Sequence, residues 1–392
     1  MDQHLQRLRS RAVVRRRRGV GARPRPGRRG PSGLLRVQER RHRDLARRTA
    51  GKGASVVDTV HTVTGPIGPA DLGITLPHEH VYINMTRTTP QDGYLNVAAE
   101  ADAELALFAA AGGATVIDLT NGELSDYAAP VGWSNDLRAM QQNPTTGSRS
   151  VANVLATKEV SERTGVQVIL GTGHYYETYL DRLWFDRTPT NLIADYLIAD
   201  LLDEIPGTGV RAGVIGEIAS DLSHISATEE RSFRAAGRAG RETGMLISTH
   251  APTFPTGLAQ LDILREEGVD PSRVAIGHAD TVKSVDYSLE IARRGAFVQF
   301  DCLMTCRVGG VLVRPQIDRR LSYLRQLIDA GYAGSILLSH DVCQRSHLRA
   351  AGGPGYTFLF EEFRALAIEA GIAAETLDAI HRDNPRRAVF GE

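Results

Sequence analysis

From residue 55 onward the chain repeats one pattern: a short apolar run rich in Val, Ile and Leu, then a longer segment with apolar residues at helical spacing. The runs are GITLPHEH (73–80), ATVIDLT (114–120), VQVILGTG (166–173), AGVIGEI (212–218), MLISTHA (245–251), VAIGHAD (274–280), AFVQFD (296–301) and SILLSHD (335–341). Between them lie amphipathic stretches such as AEADAELALFAAAG, LIADYLIADLLDEI, TEERSFRAAGRAGRETG, GLAQLDILREEG and SYLRQLIDAG. Several of these end at glycine, the usual helix stop. Short β-rich runs alternating with helical patterns predict repeated βα units on a parallel sheet. Eight units over about 320 residues predict an α/β fold, a (β/α)8 TIM barrel with long loops at the C-terminal face. A doubly wound open sheet is the alternative, but no GxGxxG follows the first run to support a dinucleotide-binding version.

The barrel says where to look for chemistry, because its active sites lie at the C-terminal ends of the strands. Run 1 ends in His78 and His80, run 4 in Glu217, run 5 in His250, run 6 in His278 and run 8 in Asp341. A lone His-x-His is weak evidence. Six residues of metal-ligand type at five strand ends are stronger. Strand alternation puts residues i and i+2 on one side, so His78 and His80 can both face the barrel mouth. Glu79 then faces away and is not counted as a ligand. Six ligands exceed the need of one tetrahedral zinc and suit two cations sharing a carboxylate, roughly 3.5–4 Å apart. Imidazole and carboxylate donors suit zinc first, with manganese or cobalt as alternatives.

Composition changes the picture at one end only. Residues 1–52 hold 17 Arg and one Lys against Asp2, Glu39 and Asp44, a net of +15, while the remaining 340 residues carry 28 basic and 43 acidic side chains, a net of −15. Residues 1–54 form a basic segment rich in Arg, Gly and Pro that buries too little to order itself, so disorder is expected there and the metal-site barrel is placed at 55–392. A nucleic-acid-binding arm is one reading of that segment, opposed by the acidic remainder. It lacks the apolar stretch of a secretory signal and the amphipathicity of an organellar presequence. We favour a start downstream, near Val56 or Val57. The odd three cysteines, Cys302, Cys306 and Cys343, imply no disulfide framework and fit a reducing cytoplasm. Cys302 and Cys306 read as loop or core residues rather than as a zinc pair. No apolar run approaches the roughly 18–20 residues of a membrane span.

With these residues in place, the chain resembles the phosphotriesterase-like branch of the amidohydrolase superfamily over about residues 58–390. TVTGPIGPADLGITLPHEH is similar to the opening motif; GVIGEI, STHA, IGHAD and LLSHD follow in the family's order, and DNPRRAV is similar to its closing motif. The resemblance implies a binuclear metal hydrolase in which His78 and His80 bind the more buried ion with Asp341, and His250 and His278 the more exposed one. Many members bridge their metals with a carboxylated lysine at the end of strand 4. Here Glu217 stands at that position, and Lys158 and Lys283 do not, which implies the glutamate-bridged type, assembled without bicarbonate. It also implies a metal-bridging hydroxide as nucleophile, with Asp341 as the catalytic proton acceptor.

Loops shape the substrate reading. In GTGHYYETY, Tyr175 stands where similar lactonases place a tyrosine beside the exposed metal. Arg307 after run 7, and Arg345 and Arg349 after run 8 with His347 between them, offer guanidinium forks suited to a carboxylate or phosphate. The segment after run 2, residues 121–150 with Trp133, is longer than the family leads us to expect. These features favour hydrolysis of a carboxylic ester, a lactone first, with an anionic group as an option. Amide or N-acyl hydrolysis and phosphotriester hydrolysis are the alternatives within the class. A binding protein, or a basic-tailed nucleic-acid-associated one, is the alternative outside it. The expected partner is a small molecule, with no membrane. Barrels of this type often pair, which makes a homodimer the assembly to test.

Overall fold

The computed structural model describes residues 57–125, 146–221, 223–308 and 311–391, with the backbone alone for 306–308. The basic segment 1–54 and Trp133 lie outside the described residues, as does most of the 121–150 excursion.

Each of the eight apolar runs contains one strand: β1 (Thr75–Glu79), β2 (Thr115–Asp118), β3 (Gln167–Thr172), β4 (Val214–Ala219), β5 (Ile247–His250), β6 (Val274–Gly277), β7 (Phe297–Phe300) and β8 (Ile336–Leu338). The strands pair in parallel and in strict chain order from β1 to β8. A doubly wound sheet would reverse its order at a switch point; this one does not. The first and last strands meet instead: His78 N–H donates to Ser339 Oγ at 3.0 Å, and Asp341 N–H donates to the His78 carbonyl at 3.2 Å. The result is a nearly closed (β/α)8 barrel.

Between and after the strands run α1 (Ala98–Ala110), α2 (Val151–Thr164), α3 (Thr190–Leu202), α4 (Ala227–Thr243), α5 (Gly257–Glu266), α6 (Val285–Arg293), α7 (Arg314–Asp329) and α8 (Ala374–Phe390). Their ends follow local chemistry. Helix α4 opens with a Ser226/Glu229 capping box and stops at Gly244, whose φ of +72° suits glycine. Helix α2 starts where the Ser150 hydroxyl accepts from Asn153 N–H and stops at Gly165. No helix among the described residues is long and apolar enough to cross a membrane.

The barrel interior is packed, not hollow. Alternate strand residues Ile117, Ile169, Val214, Ala275 and Leu337 form one apolar cluster that Phe390, at the end of α8, closes from below. The DNPRRAV motif belongs to this foot. Asn384 Nδ2 donates to the carbonyls of Ala333 and Ile336, at 2.8 and 2.6 Å, as the chain enters β8. Arg273, buried just before β6, donates to the carbonyls of Gly244, Ala388 and Val389 at 2.8–2.9 Å. The closing motif thus serves the barrel's foot and leaves its mouth to the polar residues. Asn384→Ala strands two buried acceptors and is expected to cost about 1–3 kcal/mol. Urea unfolding measures that loss, and metal content per folded chain should stay unchanged.

Candidate metal centre

The polar strand ends converge. His78 from β1, His80 just beyond it, and Asp341 after β8 bring one ligand atom each to within 4.8 Å of one another; Glu217 of β4, His250 of β5 and His278 after β6 form a second such group. Glu217 reaches both groups. Its Oε1 lies 3.7 Å from His80 Nε2, and its Oε2 lies 3.3 Å from His78 Nε2, 2.9 Å from His250 Nδ1 and 3.4 Å from His278 Nε2. Asp341 Oδ1 lies 3.2 Å from His80 Nε2. All six residues singled out in the sequence as ligand types are therefore in one cluster at the C-terminal mouth.

The backbone bends to put them there. The β1/β2 and β4/β5 ladders both shift register, between Leu76 and Glu79 and between Ile215 and Ile218. Gly216 sits so close to β5 that a Cβ there would meet the Ser248 carbonyl at 2.4 Å, so the residue before Glu217 must be glycine. Among the described residues, three non-glycines adopt positive φ: Thr253, His278 and Asp341. Two of the three belong to the cluster. Such outliers persist where the surrounding structure over-determines them, and they concentrate at functional sites.

The electrostatics are those of a pocket that demands positive charge. Burial pushes the His78 imidazole down, but the Glu217 and Asp301 carboxylates push it up further, to about 10. His278 rises well above its ordinary value against the same burial, chiefly through Asp301. His250 falls, through burial first, with His278 adding to the effect. Against burial, His250 and His78 hold Glu217 well below the carboxylate range, and His278 and His78 do the same for Asp301. Burial raises Asp341 less than the His80 contact and His278 lower it. In the absence of a cation, protons must fill that role.

The donor set fits divalent cations. His278 Nδ1–H donates to Asp301 Oδ1 at 2.8 Å, so Nε2, 2.7 Å from His250 Nδ1, is the nitrogen whose lone pair a cation would take in place of a proton. His78 Nε2 is buried, turned toward the cluster, and has no hydrogen-bond partner. A carboxylate behind a ligating imidazole, fixing its tautomer, is the usual support of a metal-bound histidine.

Several supporting residues were not singled out in the sequence. Asp301 approaches His78 Nδ1 at 2.9 Å as well as His278; the only sequence signal was an aspartate ending run 7. Gln299 Nε2 donates to Asp301 Oδ2 at 2.8 Å. Glu79 faces away from the ligands, as alternation requires, yet its carboxylate accepts from Ser339 Oγ, His340 N–H, His340 Nδ1 and Val342 N–H at 2.8–2.9 Å. It ties β1 to the segment that carries Asp341. Cys302 is buried against the cluster, its Sγ 3.4 Å from His278 Nδ1 and 3.9 Å from Asp341 Oδ2; the Cys306 side chain is outside the described residues.

The loop residues divide. Tyr175 is buried with its hydroxyl 3.5 Å from both ring nitrogens of His250, and Tyr176 and Tyr179 extend an aromatic wall beside it. Burial pushes the Tyr175 hydroxyl well above its ordinary value, so it stays a donor. Arg345 is half-exposed and paired with Glu100 of α1 at 2.7 Å. Arg349 pairs with Glu361 and donates to Thr357 Oγ1 at 2.5 Å. His347 accepts from Cys343 N–H at 3.4 Å. The Arg307 side chain lies outside the described residues.

A (β/α)8 barrel with imidazole and carboxylate donors gathered at its C-terminal mouth defines a metal-dependent hydrolase by class. The sequence pattern of the Phosphotriesterase family matches residues 58–139 and 139–389, and the chain belongs to that family. It is 35% identical to the phosphotriesterase homology protein of Escherichia coli (strain K12) over 227 residues, 58% of this chain and 75% of the relative. It is 26% identical to the N-acetyltaurine hydrolase of Dictyostelium discoideum over 373 residues, 85% of this chain and 98% of the relative. Among solved structures, a mutant of a Deinococcus radiodurans PTE-like lactonase superposes with a TM-score of 0.67 at 29% identity, covering 85% of this chain and 100% of that one.

Glu79 supplies a test of the β1–β8 seam. In Glu79→Gln one amide hydrogen must face a buried donor, with an expected cost of about 1–3 kcal/mol. A lowered urea midpoint is the predicted result; an unchanged midpoint would mean that the seam does not depend on this carboxylate.

Proposed function

We propose that this protein hydrolyses carboxylic esters, lactones first, at a two-metal centre. His78, His80 and Asp341 would hold the more buried cation, His250 and His278 the more exposed one, and Glu217 would join them. The observation that carries the reading is Glu217, whose two oxygens approach both groups of histidines. Bound there, zinc, or manganese or cobalt by the same donor types, would act as a Lewis acid on the substrate carbonyl and make hydroxide available near neutral pH. Two divalent cations and one hydroxide would also neutralise the three carboxylates Glu217, Asp301 and Asp341.

The chain's own residues have separable roles in this reading. Asp341 is 17% exposed at its side chain, whereas Glu217 and Asp301 are 3% and 0% exposed. It is thus the cluster carboxylate open to an entering substrate, able to accept the nucleophile's proton and return it to the leaving alkoxide. Opening of a lactone ring then yields a hydroxy acid. Tyr175 is placed to donate to a substrate oxygen, and Tyr176 and Tyr179 offer an apolar wall to the ring or its substituent. Arg345 and Arg349 direct their guanidinium groups to Glu100 and Glu361 respectively, so neither supports an anionic substrate group; an uncharged lactone is the better fit.

Amide hydrolysis is the second reading, favoured by the N-acetyltaurine hydrolase likeness over most of the chain. Hydrolysis rates of the zinc- and manganese-loaded protein against lactones, with and without a phosphate, N-acyl amino acids, N-acetyltaurine and an activated aryl phosphotriester decide between them. A lactone preference of several decades in kcat/KM is expected. A preference for the N-acyl compounds would transfer the assignment to amides. Glu217→Ala is expected to lose both metal retention, read by elemental analysis, and turnover. Two retained metals with normal turnover in that variant would overturn the site.

A further inference from the structure

His80 donates or accepts through Nδ1 at a place removed from the cluster, and the groups behind it decide which. Its Nδ1 lies 3.0 Å from Thr120 Oγ1. Thr120 Oγ1 in turn donates to Asp118 Oδ1 at 2.7 Å, and Thr120 N–H donates to the same oxygen at 3.0 Å. Arg149 Nη2 pairs with that oxygen at 2.8 Å, while its Nε donates to the Gly171 carbonyl at 3.2 Å and its Nη1 to Asn153 Oδ1 at 3.1 Å. Val81 N–H donates to Asp118 Oδ2 at 3.3 Å. Every member is buried: His80, Asp118, Thr120 and Arg149 are 0–3% exposed.

Proton counting settles the direction. Asp118, paired with a buried guanidinium, is a carboxylate and can only accept. The single hydroxyl proton of Thr120 is therefore spent on Asp118, because the opposite orientation would set an oxygen lone pair against a carboxylate oxygen at 2.7 Å. What Thr120 has left for His80 is a lone pair. His80 must then carry a proton on Nδ1, which makes Nε2, the nitrogen facing Asp341 and Glu217, the one free to give its lone pair to a cation.

We infer that Arg149, Asp118 and Thr120 form a buried positioning relay that holds His80 in the one tautomer able to ligate a metal. This rests on the two-metal reading above and adds a support for it that lies outside the ligand set. Arg149 directly precedes Ser150, the N-cap of α2, so the relay also links the start of that helix to the floor of the centre. None of the three residues touches substrate; they act through His80.

The test uses the full chain, loaded with zinc, and reads metal release to a competing chelator together with thermal unfolding. Thr120→Val removes the acceptor and frees His80 to protonate Nε2. It is expected to weaken one of the two metals by about 10–100-fold and leave the other near its original affinity. Thr120→Ser restores the hydroxyl and is expected to stay within about threefold of the parent protein, by the same reasoning. Asp118→Ala, which removes the acceptor that holds the Thr120 hydroxyl and frees it to turn toward His80 Nδ1, should behave like the valine variant. It carries the test if Thr120→Val does not fold. If the unaltered protein retains no metal, the two-metal reading fails. If it retains two and the folded Thr120→Val and Asp118→Ala variants retain both as tightly, the relay is wrong while the centre stands. A serine variant as weak as the valine one would also overturn it, because the hydroxyl would not be the acting group.

Discussion

Three carboxylates and four imidazoles share a pocket at the barrel mouth, and all but Asp341 and His250 are almost completely shielded from water. An isolated buried charge is far too costly to persist, so each of these groups must be matched by a proton, a hydrogen bond or a cation. That constraint organises the rest of the mouth. Asp301 faces two imidazoles and Glu217 faces four.

The outer layer is built from the same currency of buried polar pairs. Glu79 collects four donors from the β8 side, Asp118 is shared between Arg149 and Thr120, and Asp280 is paired with Arg320 at 2.6 Å. Each such group is costly unless satisfied, and each draws at least one partner from a residue distant in sequence. The barrel's apolar foot makes this affordable in structural terms: Phe390 and the alternate strand residues keep the lower half dry and rigid, so that the polar half can be held in register.

Much of the fold was legible because its determinants are local. Eight apolar runs separated by amphipathic segments can be arranged in few ways, and all eight contain the strands of the barrel. The six ligand-type residues were legible for the same reason: the barrel places strand ends at one mouth, so position along a run stands in for position in space. Glu79 shows the limit. Alternation correctly turned it away from the ligands, but its four partners come from residues 339–342, some 260 positions away, and no local pattern announces them.

What the sequence by itself determined, then, is the barrel, the family resemblance and the set of residues at the strand ends, because each follows from short-range periodicity and from motif order. What only the tertiary structure decided is how those residues are held. It brought Asp301 between His78 and His278, set Thr120 and Asp118 behind His80, gave His278 and Asp341 their left-handed backbones, and drew Arg345 and Arg349 into ion pairs with glutamates. Hydrogen bonds and ion pairs depend on distances of a few ångströms between segments far apart in the chain, and those distances exist only once the barrel has closed.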